Sequence, residues 1–413
     1  MNPSVQNSSN PSASDSGPTP TPMFAVPGFR TSDLPLAAAR WGRADALDRV
    51  IDDAITGRRI VGAVVIAARD GEIVYQRAAG YADRESRRPV RENEIFRLAS
   101  MTKAIVSVAA LALMDQGELQ LEDPVTRWLP EFRPKLADGR EPVITIRHLL
   151  THTAGLGYGF LESLDGPYHR LRVSDGLDQS GVTLAENLRR IAAAPLLFEP
   201  GTNWHYSVAV DVLGAVLEQV TGSSLPQLVR SIVTAPLRMN SVEFAVPAHT
   251  VLATPYGDAT PEPVGMTNPF QLSFLGSAIN YSPARAFDPD AFPSGGTGMV
   301  GTAGDYLRFL EAIRTDGAGV LRPQTAAAMT RNAIGDLGPG PGFGFGLGVQ
   351  VLKDPAAAQT LLNAGAWNWG GVYGTHYWVD PAERISFVAL TNTAVAGMFG
   401  AFPSALQRAV YPA

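Results

Sequence analysis

Two strand–turn–strand patterns sit near opposite ends of this chain and constrain its folding more than any other feature. The first, VGAVVIAARDGEIVYQRAAGYAD at 61–83, places two β-rich runs on either side of Asp70-Gly71. An Asp-Gly pair between such runs is a strong local hairpin signal, because both residues accept the left-handed conformation that a tight hairpin turn needs. The second, GTHYWVDPAERISFVALTN at 374–392, has two alternating runs around Asp380-Pro381. Residues 343–352, FGFGLGVQVL, read as one further strand. Antiparallel strands from both chain ends are therefore expected to share one sheet, flanked by a first helix over Ala37–Ile55 and a closing helix over 403–410. The middle reads differently, with ITIRHLLTHTAGL and SVAVDVLGAVLEQVTG as helical segments among Pro/Gly loops. The expected class is α+β (α/β). Residues 1–25 form a tail, 26–117 and 300–413 an α/β domain with an antiparallel sheet, and 118–299 a mostly helical insertion domain.

Composition narrows the partners. The 413 residues are 45% hydrophobic with a net charge of −6, enough for an ordinary core and without the basic runs of a nucleic-acid binder. There is no cysteine, which excludes disulfides, thiolate metal sites and a cysteine nucleophile. Residues 1–22 are Ser, Pro, Asn and Thr with almost nothing to bury, and are expected to be disordered. No charged region followed by an apolar core opens the chain, and no stretch is apolar for the 18 or so residues of a membrane helix. A cytoplasmic protein acting on a small molecule is expected, without nucleic acid or membrane.

Only three of the 33 basic residues are lysines, Lys103, Lys135 and Lys353. Lys103 stands in RLASMTKAIVSVAALAL, three residues after Ser100 and at the head of an apolar helix that stops at Gly117. Ser100 falls at the helix N-terminus, where free N–H groups and the dipole favour negative charge, with Lys103 on the same face. An amine that accepts the serine proton near neutral pH must sit roughly three units below its ordinary value of about 10.4, or about 4 kcal/mol. An apolar site and a neighbouring cation supply that. Two further segments stand out. Tyr206-Ser207 lies at a loop–helix junction before a helix from about Val208 to Thr221. In AWNWGGVYG at 366–374, two glycines before a strand let backbone N–H groups approach a ligand. Taken singly, each reads more readily as ordinary structure: a helix cap with a snorkelling lysine, a packed tyrosine, a turn.

Together these segments resemble the serine β-lactamase and penicillin-binding-protein superfamily, and most closely the family VIII carboxylesterases of the EstB type. The likeness runs from about Leu47 to Val410 through FRLASMTK, VTRWLPEFRPKLADG, ITIRHLLTHTAGLGY, YSVAVDVLGAV, FPSGGTGM and WGGVYG. It implies a β-lactamase/transpeptidase-like fold. Ser100 matches the nucleophile and Lys103 the lysine that helps take its proton. Tyr206 matches the tyrosine that acts as base and then protonates the leaving alcohol. The amides of Ser100 and Val372 match the oxyanion hole. Trp369, Gly370 and Gly371 stand at the K-T-G strand and, with Tyr158, match substrate-binding residues. No cofactor or metal is implied, and short-chain acyl esters are the implied substrates.

Departures separate activities within that superfamily. Tyr206-Ser207-Val208 replaces the Y-x-N of class C lactamases, removing an amide that contacts the lactam side chain. Trp369 replaces the Lys or His that would meet a substrate carboxylate. Both changes favour neutral esters over anionic lactams or peptides. A β-lactamase, a D-amino-acid peptidase or an acyltransferase on the same scaffold is the alternative reading, and a non-enzymatic binding protein a further one. No G-x-S-x-G, phosphate loop or dinucleotide fingerprint occurs, and the six histidines form no metal spacing. His152 and His205 are expected to be structural hydrogen-bonders, and Asp211, one turn past Ser207, to face solvent.

Overall fold

The computed structural model describes residues 34–37 and 41–411. The strands of its main sheet are β1 (Gly62–Arg69), β2 (Glu72–Asp83), β3 (Arg88–Pro89), β4 (Phe343–Phe345), β5 (Gln350–Leu352), β6 (Trp367–Gly371), β7 (Thr375–Asp380) and β8 (Ile385–Thr391). Their order is β4-β5-β6-β7-β8-β1-β2-β3, every pair antiparallel. The chain ends meet where β1 pairs with β8, from Ala63–Thr391 to Arg69–Ile385. Asp70 (φ 54°) and Gly71 (φ 84°) both take the left-handed conformation that closes the β1–β2 hairpin.

Five helices frame the site: α1 (Ala44–Thr56), α2 (Thr102–Gln116), α3 (Ala209–Thr221), α4 (Ala303–Arg314) and α5 (Ala401–Val410). Helix α4 lies on one face of the sheet against β1 and β8, and α1 packs with α5 on the other. Side chains of β1 divide accordingly. Val64, Ile66 and Ala68 enter the core that includes α2, α3 and α4, whereas Ala63, Val65 and Ala67 enter the core of α1 and α5. The period-two pattern thus feeds two apolar layers, and β7 and β8 are buried at every residue. Helix α2 is buried from Thr102 to Leu113, as an all-round apolar helix must be.

Several boundaries differ from expectation. Helix α1 starts at Ala44, after a turn at 42–43, and the expected 38–40 portion lies outside the described residues. The closing helix begins at Ala401, because Pro403 sits in its first turn, where a missing N–H costs nothing. Residues 343–352 form two strands rather than one. The break contains Gly348 (φ 103°), where a Cβ would lie 2.2 Å from Ser107 Oγ on α2. The middle of the chain also carries a β-hairpin, Phe270–Phe274 with Ser277–Tyr281, turned by Leu275 (φ 47°) and Gly276 (φ 84°).

Candidate active site

The site is built on a strained turn. Ala99 holds φ 46°, unusual for a residue with a Cβ, and starts the 3₁₀ turn Ala99–Met101 that leads into α2. Neighbours fix this conformation. Leu98 N–H donates to Met299 O (2.9 Å), Thr375 Oγ1 donates to Leu98 O (3.2 Å), and Tyr306 Oη donates to Met101 O (2.9 Å). Ser100 therefore sits in a first helical turn, whose N–H groups lack intrahelical acceptors.

Strand β6 passes directly beside that turn, and its glycines permit the approach. A Cβ on Gly371 would lie 2.2 Å from Leu98 O and 3.2 Å from Ala99 Cβ. One on Gly370 would lie 2.5 Å from Met398 Cγ. Gly370 and Gly371 end β6 itself, and the next strand follows after a turn. The turn Val372-Tyr373-Gly374 (Gly374 φ 100°) then leads into β7. Val372 lines the same cleft as Ser100, and its carbonyl accepts a 2.9 Å hydrogen bond from the buried Tyr281 Oη of the hairpin.

Lys103 is 2% exposed, and its Nζ donates to Tyr158 Oη (2.9 Å) and Gly296 O (2.8 Å) with Ser100 Oγ at 3.4 Å. Three acceptors thus lie within reach of Nζ. The amine also lies 5.1 Å and 4.7 Å from the ring centres of Tyr158 and Tyr206. Gly296 is held by Asp211, whose Oδ1 accepts from Gly296 N–H (3.2 Å) and Ser294 Oγ (2.6 Å). A side chain at 296 would meet Asp211 Oδ2 at 2.6 Å. Asp211 is thus buried and braces the lysine's acceptor, contrary to the expectation that it faces solvent. Burial raises its carboxyl above the usual range, offset by the Ser294 hydrogen bond and the Lys103 charge.

Tyr206 packs between Tyr158 (5.1 Å), Trp369 (5.1 Å) and His152 (4.9 Å), and its buried hydroxyl has no protein hydrogen-bond partner. His152 hydrogen-bonds through Nδ1 to Ser207 Oγ (3.1 Å). Burial, then the Lys103 charge, lowers its pKa well below the ordinary value, so the ring stays neutral. Burial also lowers that of His205, whose backbone N–H donates to His152 O (3.0 Å). Tyr158 lies behind the cleft wall. Phe160, stacked on it at 4.5 Å, is the lining residue, and burial holds the Tyr158 phenol well above its usual range.

Ser100, Tyr206, Trp369, Gly370 and Val372 open onto one cleft of about 810 Å³. None of its lining residues is Asp, Glu, Lys or Arg. Its one histidine, His376, has its pKa pushed down to about 4 by burial and is neutral. Among the described residues no group of three or more His, Asp or Glu is placed to hold a metal ion, and no helix is long and apolar enough to cross a membrane. Sequence reasoning missed the Tyr158–Lys103 bond, the Gly296 carbonyl and the Tyr281 contact. The run of glycines in FPSGGTGM was the available signal for the second of these.

A model of the β-lactamase family matches residues 47–410. Esterase EstB of Burkholderia gladioli is 52% identical over 375 residues, covering 89% of this chain and 95% of that one. Among solved structures, EstCE1, a hydrolase with promiscuous acyltransferase activity, superposes with a TM-score of 0.86 at 46% identity, over 89% of this chain and 98% of that one. The octameric penicillin-binding protein homologue from Pyrococcus abyssi shares the fold at 19% identity and a TM-score of 0.67, over 89% and 76% of the two chains. The family match begins inside α1 and ends on the last residue of α5, so the whole body of the chain, and not one motif, belongs to the β-lactamase family.

Proposed function

We propose that the protein is a serine carboxylesterase that hydrolyses neutral, short-chain acyl esters through an acyl-enzyme on Ser100. The observation that carries this reading is a serine one turn from a buried lysine, opening on a cleft with no charged side chain. The 52% identity to an esterase supports it. Ser100 Oγ attacks the ester carbonyl while Lys103 and Tyr206 take its proton. The oxyanion rests on the amides of Ser100 and Val372, at a helix N-terminus that favours negative charge. Tyr206 then returns the proton to the departing alcohol, so the C–O bond breaks and a neutral alcohol leaves. A water repeats the sequence in reverse, freeing the acid and restoring Ser100. Tyr158 and Gly296 hold the lysine in place throughout, and Trp369, Gly370 and Gly371 present the strand edge against which the substrate lies.

The cleft offers no cation to a substrate carboxylate, which sets it against β-lactams and peptides. Turnover of p-nitrophenyl acetate and butyrate by Ser100→Ala, Lys103→Ala and Tyr206→Phe tests the assignment, each expected to lose at least about a hundredfold in kcat. Near-normal turnover by any of them removes that residue from its role, and a clear preference for nitrocefin over the nitrophenyl esters overturns the substrate reading. The same acyl-enzyme can pass its acyl group to an alcohol in place of water. The EstCE1 neighbour, described as having promiscuous acyltransferase activity, favours this second reaction. Transesterification of a butyrate ester in added alcohol measures it.

A further inference from the structure

We infer that the larger part of the cleft, beyond Trp369, is a subsite for a bulky, neutral, ring-containing alcohol moiety of the ester. This rests on the catalytic roles proposed above for Ser100, Tyr206 and Val372. Clefts of roughly 300–1,000 Å³ hold drug-sized ligands, and this one, at about 810 Å³, is far larger than a short-chain ester of a small alcohol needs.

Strand β6 gives the cleft a direction. Val372, with the oxyanion amide, lies just past its end, and Gly370, Trp369 and Asn368 follow going back along the strand. Asn368 pairs with Gln350 on β5, and no pairing to β5 extends beyond it, so the edge at Trp369–Gly371 is open on that side. At about 3.3 Å per residue, the lining at Asn368 and Gln350 stands roughly 13 Å from the Val372 amide. Tyr206 packs on Trp369, on this same side of Val372. Tyr206, which protonates the alcohol, also packs on Tyr158 at the same distance, and the open edge of β6 assigns the alcohol to the Trp369 side. Beyond Trp369 the walls come from Pro341, Phe343, Ala357 and the carboxamides of Gln350 and Asn368. They provide apolar and aromatic surface with neutral hydrogen-bonding groups and no charge. Phe160, Leu161, Phe274 and Leu275 line the cleft from the loop and hairpin, and the acyl half is assigned to them.

The test holds leaving-group chemistry constant while bulk grows. Acetates of ethanol, 2-phenylethanol and 2-(2-naphthyl)ethanol share a primary alcohol two carbons from any ring. Their kcat/KM is expected to rise at least about tenfold from the ethyl to the naphthylethyl ester, mainly through KM, as the ring system leaves water. Ala357→Trp and, as a second filling variant, Gln350→Trp are expected to reduce the naphthylethyl-to-ethyl ratio. A flat ratio in the wild type, or an equal gain when the naphthyl group is moved to the acyl half in ethyl 3-(2-naphthyl)propanoate, overturns the subsite. Ser100→Ala run on the same esters separates the two readings. If hydrolysis depends on Ser100 and the ratio is flat, the subsite alone fails. If hydrolysis persists without Ser100, the catalytic assignment fails with it.

Discussion

Gly371→Ala probes the contact between β6 and the turn that carries Ser100, the proposed nucleophile. A Cβ built there would stand 2.2 Å from Leu98 O, 2.5 Å from Thr375 Oγ1 and 3.2 Å from Ala99 Cβ. Two of the three obstacles are backbone or are fixed to it, and Thr375 Oγ1 itself donates to Leu98 O (3.2 Å), so no flexible side chain can yield. Relief therefore requires β6 and the Leu98–Ala99 turn to separate by about 1 Å, which widens the gap between the Ser100 and Val372 amides by a similar amount. Misplacement on this scale costs about a hundredfold in rate, or about 2.7 kcal/mol of transition-state stabilisation, close to the loss of one oxyanion donor. Overpacking is expected to cost about 1–3 kcal/mol of stability as well. Steady-state hydrolysis of p-nitrophenyl butyrate, with urea denaturation to confirm folding, should show kcat falling about a hundredfold with KM little changed. Gly304→Ala is the control, because a Cβ near the start of α4 meets nothing within 4 Å. A folded Gly371→Ala enzyme with wild-type kcat would refute the claim that this strand spacing sets the proposed oxyanion site.

Three further outcomes follow from the same geometry. Tyr281→Phe removes the 2.9 Å hydrogen bond to Val372 O and leaves a buried carbonyl short of a donor, so kcat should fall about three- to tenfold in steady-state assays while KM holds. Ala99→Gly relieves the positive φ and should raise the urea midpoint by an amount equivalent to about 1 kcal/mol, yet lower kcat several-fold as the turn loosens. Burial raises the Asp175 carboxyl from 3.8 to about 7 although it accepts from Gly159 N–H (3.0 Å). The folded state therefore holds this proton where the unfolded chain has lost it, and stability falls as pH rises from about 4 through about 7, by at most about 4 kcal/mol. Asp175→Asn should flatten that part of the Tm-against-pH curve, and an unchanged slope would remove Asp175 as its source.

Legibility in the sequence followed the range of the interactions. Asp70-Gly71 announced its hairpin because a tight turn is decided by two residues, and the burial of α2 was plain from an apolar run. Leu275-Gly276 turns a hairpin just as tightly, but leucine is not a turn former, so Phe270–Tyr281 passed as loop inside a helical region. Asp211 illustrates a different limit. Charge and helical spacing point it to water, and only the chain fold, which brings Ser294 and Gly296 beside it from 83 and 85 residues away, makes burial tolerable. Tyr158 similarly read as an aromatic near a pocket, since nothing local tells that its hydroxyl will meet an amine 55 residues earlier in the chain.

On the proposed reading, the distribution of charge around the site turns Ser100 and Lys103 toward neutral esters. Lys103 brings an amine into the active centre, but Ser100 Oγ, Tyr158 Oη and Gly296 O surround its Nζ, and the ring faces of Tyr158 and Tyr206 cover its flanks. Buried behind the cleft lining, it offers nothing to a substrate carboxylate. A carboxylate entering the cleft would lose hydration against Trp369 and its aromatic neighbours without gaining a charged partner, a transfer that costs several kcal/mol. A neutral ester pays no such penalty and gains apolar contact along the whole wall. The proposed discrimination therefore rests less on an attraction built for esters than on the absence of any charge in the cleft lining to compensate an anion. Introducing that charge, as Trp369→Lys, is accordingly expected to narrow the gap between neutral and carboxylated esters in competitive hydrolysis. An unchanged ratio would show that selectivity is set elsewhere in the cleft.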